Sequence, residues 1–176
     1  MHRLMLVDDE PNILRALKRV LAGGPYTVET FEDPEEALAR TETVDYDLAL
    51  SDYRMPRMDG VEFLTRLRLK QPNAMRLILS GFADLEALMD AINVAEIYRF
   101  ISKPWSDYEL RATLSQALAH HDALEENRRL ADAIRQSQAE LEVRERELKR
   151  LEALHPGITQ VTWANDGSIL IGPEDV

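Results

Sequence analysis

The chain has 176 residues, enough for one ordinary domain and an appended segment, and its 45 % apolar and 30 % charged residues are usage typical of a folding globular protein. A formal net charge of -11 argues against a surface built to hold a phosphate backbone, since such binding needs clustered lysine and arginine. The absence of cysteine removes disulfides, thiolate nucleophiles and zinc–thiolate sites; with no signal-peptide core and no apolar run near the ~20 residues of a membrane span, the expected location is cytoplasmic.

Residues 3–7 form an apolar strand-like run, and residues 11–22 follow with Ile13, Leu14, Leu17, Val20 and Leu21 at helical spacing. Gly23-Gly24-Pro25 breaks that helix, and residues 26–31 alternate like a strand near a sheet edge. Asp33 before Pro34 has the form of an N-cap with proline at the first helical position, opening a helix to about residue 41. Strand three is expected at 47–51, with a helix from Asp59-Gly60 carrying Val61, Phe63, Leu64, Leu67 and Leu69 up to Pro72. Strand four is expected at 76–80, followed by a helix at about 84–93, and strand five at 97–101. Ser106-Asp107-Tyr108-Glu109 then has the capping-box form that starts a helix. Five strand–helix pairs with short links predict an α/β fold, a doubly wound five-stranded parallel sheet whose functional residues lie at the carboxyl ends of the strands.

The last helix should run far beyond a domain helix, because no proline or glycine occurs over 106–154. Leu130, Ile134, Leu141, Leu148 and Leu151 fit a heptad seam, and the upstream Leu110, Leu114, Ala117 and Leu124 join it only after a shift near Asn127. The reading is a two-stranded coiled coil, with polar Asn127, Ser137 and Arg144 in the seam fixing register and partner number. Arginines 128, 129, 144, 146 and 150 are balanced by neighbouring glutamates, so they read as a solvated helix face. His120 and His121, next to Asp122, read as seam or surface residues. Beyond Pro156-Gly157, the runs 158–163 and 168–171 flank Asn165-Asp166-Gly167, a hairpin signal, and a lone hairpin needs something to pack on. The expected organisation is a domain at 1–121, a coiled-coil dimerisation helix at 122–155 and a β-hairpin tail at 156–176.

Asp8, Asp9, Asp52 and Lys103 fall at the ends of neighbouring strands. Crowded carboxylates repel one another and are stable as anions only with a cation among them; an all-oxygen set suits Mg²⁺. Asp52, between such an ion and Lys103, is the residue placed to attack phosphorus, and Ser80 can donate a hydroxyl to a phosphoryl oxygen. Asp33 and Asp59 read as helix caps, and Trp105 as packing at a helix start.

Four motifs in order, Val7-Asp8-Asp9-Glu10, Ser51-Asp52-Tyr53-Arg54-Met55-Pro56-Arg57-Met58-Asp59-Gly60, Leu79-Ser80-Gly81 and Phe100-Ile101-Ser102-Lys103-Pro104-Trp105, resemble the response-regulator receiver domains of two-component signalling. The resemblance covers residues 1 to about 120. It implies Asp52 as phosphoacceptor, with Asp9, Asp52 and the backbone carbonyl of Arg54 as Mg²⁺ ligands and Asp8 acting through a bound water. It further implies Ser80 and Phe100 as a switching pair, Lys103 as the phosphate contact, a cis bond before Pro104, and Arg54 and Phe82 as positions that tune phosphoryl lifetime. The partners implied are a sensor histidine kinase or phosphotransfer protein; from the coil, a homodimer is expected, and no nucleic acid or membrane. Enzyme is then a poor label. Other readings are an aspartyl-nucleophile phosphatase, which in the haloacid-dehalogenase pattern places an aspartate where this chain has Arg54, and a receiver fragment of a larger transcription activator or cyclic-dinucleotide hydrolase.

Overall fold

The computed structural model describes residues 1–81 and 95–156. The helix expected at 84–93, Phe82 and the hairpin runs lie outside the described residues. The chain divides into two units, Met1–Glu125 and Glu126–Val176.

In the first unit, β1 (His2–Val7), β2 (Tyr26–Phe31), β3 (Leu48–Asp52), β4 (Met75–Gly81) and β5 (Arg99–Lys103) form one sheet in the order β2-β1-β3-β4-β5, with every pair parallel. Parallel strands need crossovers, and α1 (Pro11–Leu21), α2 (Pro34–Arg40) and α3 (Gly60–Lys70) supply three of them. Side chains alternate between faces, so the apolar strands feed two cores. Leu4, Leu6, Leu48, Leu50, Leu77, Leu79 and Ile101 pack on α1 and on the first turns of α4 (Asp107–Leu154); Met5, Val7, Ala49 and Ile78 pack on α2 and α3. β2 is an edge strand whose residues are only partly buried, in keeping with its mixed sequence.

Local chemistry sets the element ends. Asp33 accepts from the Glu35 N–H and Asp59 from the Glu62 N–H, both at 2.8 Å, so both act as caps. Trp105 packs against the first core at the start of α4. β5 begins two residues later than the sequence suggests: Ile97 lies in the second core and the Tyr98 N–H donates to the Arg76 carbonyl before the ladder starts. Ladder pairing, not apolar content, decides where a strand begins, and this shift brings Lys103 into β5 opposite Gly81. Arg76 is buried and donates to the carbonyls of Ala95, Ala74 and Pro72, holding the approach to β5 against β4. The peptide bond before Pro104 is cis.

In the second unit the described residues continue α4, a helix of 48 residues in all, to Leu154, with the His155 N–H donating to the Leu151 carbonyl. No described helix is long and apolar enough to cross a membrane.

Candidate phosphoryl-acceptor site

Asp52 is the last residue of β3 and is buried; Asp8 follows β1 and is fully buried, while Asp9 reaches solvent. Oxygen atoms of the three carboxylates lie within 4.8 Å of one another. Lys103 enters from β5, its Nζ 2.7 Å from Asp52 Oδ1 and 3.0 Å from Asp8 Oδ2. The other oxygens are held by main chain: the Arg54 N–H donates to Asp52 Oδ2 at 3.1 Å and the Glu10 N–H to Asp8 Oδ1 at 2.8 Å. Burial pushes the Asp8 carboxyl up, and the Asp52 charge adds to that, against the pull of the Glu10 N–H and Lys103. Burial pulls Lys103 down, but hydrogen bonds and charge from Asp52 and Asp8 outweigh it, so the ammonium is held above its ordinary range.

The loop after β3 is shaped to expose this edge. The Gly60 N–H donates to the Tyr53 carbonyl at 2.9 Å, and a Cβ on Gly60 would stand 2.0 Å from the Asp52 carbonyl oxygen. Only glycine permits that approach. Arg57 adopts a left-handed φ of 69° and pairs with Asp33, tying the loop to the α2 cap.

A cleft of about 340 Å³ opens over the cluster, lined by Glu10, Asp52, Tyr53, Arg54, Ser80, Gly81 and Lys103. Of the residues singled out in the sequence, Asp8, Asp9, Asp52 and Lys103 converge, Arg54 contributes its main chain, and Ser80 lines the same cleft. Phe100 does not line it; partly buried, it packs against the second core, paired in register with Ile78. Glu10 and Tyr53 stand within the sequence motifs without an assigned role, and the structure places both on the cleft wall; their only signal was that each directly follows an acid. The donor set fits a hard divalent ion: three carboxylates, two of them buried, and a single ammonium among them.

The model of the response regulator receiver domain matches residues 4–115. This chain belongs to that family. The hydrogenase transcriptional regulatory protein HoxA of Cupriavidus necator is 36 % identical over 115 residues, covering 65 % of this chain and 24 % of HoxA. The DNA-binding transcriptional regulator NtrC of Salmonella typhimurium is 32 % identical over 125 residues, 71 % of this chain and 26 % of NtrC. This receiver chain therefore spans about a quarter of the length of these curated relatives. The solved signal receiver domain of an HD domain-containing protein from Pseudomonas fluorescens Pf-5 superposes with a TM-score of 0.68 at 38 % identity, covering 71 % of this chain and 92 % of that one.

Proposed function

We propose that this receiver takes a phosphoryl group on Asp52 from a histidine kinase or phosphotransfer protein and passes the signal through protein contacts. The observation that carries the reading is Lys103 Nζ within 3.0 Å of both Asp8 and Asp52 at the floor of an open cleft. An Asp52 carboxylate oxygen attacks phosphorus; the O–P bond forms as the donor's N–P bond breaks, and the bonding pair leaves with the imidazole nitrogen, which is protonated from solvent. Lys103 moves with the transferred group and neutralises one of its oxygens, while the Arg54 N–H holds the oxygen of Asp52 that stays behind. Asp9, Asp52 and the Arg54 carbonyl, with Asp8 beside them, would hold Mg²⁺, whose charge offsets that of the phosphoryl oxygens.

Ser80 is buried on the cleft wall and Phe100 is partly buried one strand over, an arrangement that supports their roles as switch hydroxyl and aromatic. The readout we assign to α4 and its dimer: Leu130, Ile134, Leu141 and Leu148 are each more than half exposed, and a second coil would cover them. The site serves as an input and not as a catalyst for foreign substrates. A second reading, a receiver segment of a longer regulator, is favoured by the 24 % and 26 % spans of HoxA and NtrC.

Intact-mass measurement after incubation with acetyl phosphate and Mg²⁺ tests the assignment. Wild type gains one phosphoryl group and Asp52→Asn stays at background; equal labelling of both removes Asp52 as acceptor. Light scattering with and without beryllofluoride tests the readout, and identical mass and identical coil geometry in the two states would count against it.

A further inference from the structure

At the opposite, amino end of the sheet two imidazoles stand between two carboxylates. His2 opens β1, Asp47 directly precedes β3, and His121 and Asp122 lie on α4 within the first unit. Asp47 Oδ2 is 3.7 Å from His2 Nδ1 and Asp47 Oδ1 is 3.7 Å from His121 Nε2. The remaining ring nitrogens face the other acid: Asp122 Oδ2 is 3.4 Å from His2 Nε2 and Asp122 Oδ1 is 3.5 Å from His121 Nδ1. The rings meet edge to face with centroids 6.3 Å apart.

The geometry points to a site for a borderline divalent transition-metal ion, with Zn²⁺ the best fit, held by His2 Nδ1, Asp47 and His121 Nε2. Ligand atoms of these three residues already lie within 4.8 Å of one another. In a tetrahedron with bonds of about 2.0–2.1 Å, neighbouring ligand atoms stand about 3.3–3.4 Å apart. Each imidazole nitrogen is 3.7 Å from a different oxygen of Asp47, and one ligand atom from each residue lies within 4.8 Å of the other two, so closing on an ion takes side-chain movements of about 1.5 Å or less. Two imidazole nitrogens and one carboxylate suit zinc and its neighbours and disfavour Mg²⁺, which wants oxygen only.

Asp47 is prepared as the ligand. The Arg3 N–H donates to its Oδ2 at 2.6 Å, and its own N–H donates to the Arg3 carbonyl at 3.0 Å, which fixes the carboxylate before any ion arrives. Asp122 takes the outer place: a metal-bound imidazole presents its other N–H to an acceptor, and Asp122 offers one oxygen to each ring. His121 is buried, whereas His2 and Asp47 keep about a quarter to a third of their side chains exposed, so the ion has a way in. Three protein ligands leave a fourth position for water. The ion would clasp the start of β1, the entry to β3 and α4, segments distant in sequence.

Titration of the full chain with ZnCl2 in excess MgCl2, which keeps the Asp8, Asp9 and Asp52 cluster filled, is the test, read by calorimetry and by Tm. One Zn²⁺ per chain should bind in the micromolar range or tighter and raise Tm. His2→Asn and Asp47→Asn should each weaken binding at least tenfold and abolish the Tm rise; neither disturbs the core, and an asparagine at 47 can still accept from Arg3. Asp122→Asn should weaken it roughly 10–100-fold. His155→Ala, outside the cluster, should change nothing. Absence of saturable Zn²⁺ binding, or binding unchanged in both His2→Asn and Asp47→Asn, would overturn the assignment.

Discussion

The two stretches of α4 have similar apolar spacing and opposite environments. Leu110, Leu114 and Ala117 are fully buried against the sheet, whereas Leu141, on the same helix, is 53 % exposed and Leu154 is 63 % exposed. The spacing of leucines therefore says that a helix has an apolar face but not what covers it. In the first unit the chain covers that face itself; the described residues of the second unit leave it exposed, which is the physical ground for the proposed dimer.

Leu114→Ala should break this comparison on its buried side and have the largest effect. Truncating a fully buried leucine costs about 2–5 kcal/mol, so urea midpoints of the receiver should fall sharply. A loss under about 1 kcal/mol would mean that α4 is not held by that core.

Alkaline pH should sharpen the contrast, because all five tyrosines lie in the first unit. Burial, with the nearby Glu29 carboxylate adding to it, pushes the Tyr46 hydroxyl up to about 12. The neutral form is then favoured by the fold, so its contribution is fully present below about pH 10 and is lost as pH rises from there toward 12. About 2–3 kcal/mol of receiver stability should disappear across that window, and Tyr46→Phe should flatten the loss. An unchanged profile in Tyr46→Phe would assign it to other groups.

Leu141→Ala should have the smallest effect on the receiver's own unfolding, within about 0.5 kcal/mol, because the side chain is exposed. Its effect should show in association: the concentration at which mass by light scattering falls to the monomer should rise. Unaltered association would remove Leu141 from the seam.

Much of the candidate site could be read from the sequence because its parts are local. Asp8-Asp9 follow one apolar strand and Asp52 ends another, Gly60 must be glycine for its contact with the Asp52 carbonyl, and parallel strands present their ends on one edge. The caps at Asp33 and Asp59 were equally legible, since a cap is settled within four residues. The β5 boundary was not, because apolar content runs from Ile97 while pairing with β4 starts at Arg99. The reading of His121 as a seam or surface residue fails for a similar reason: it is 8 % exposed, facing Asp47 and close to His2. Residues 2, 47 and 121 share no local spacing, and no periodicity could have joined them.

The sequence by itself determined the alternation of strands and helices, the acids at the carboxyl edge and the length of α4, because short-range sterics and apolar periodicity act within a few residues. Only the tertiary structure decided that Lys103 reaches both Asp8 and Asp52, that Phe100 stands on the core side of the cleft, and that two histidines meet two aspartates at the amino edge. Those contacts depend on sheet order and register, which are set by packing between segments far apart in the chain.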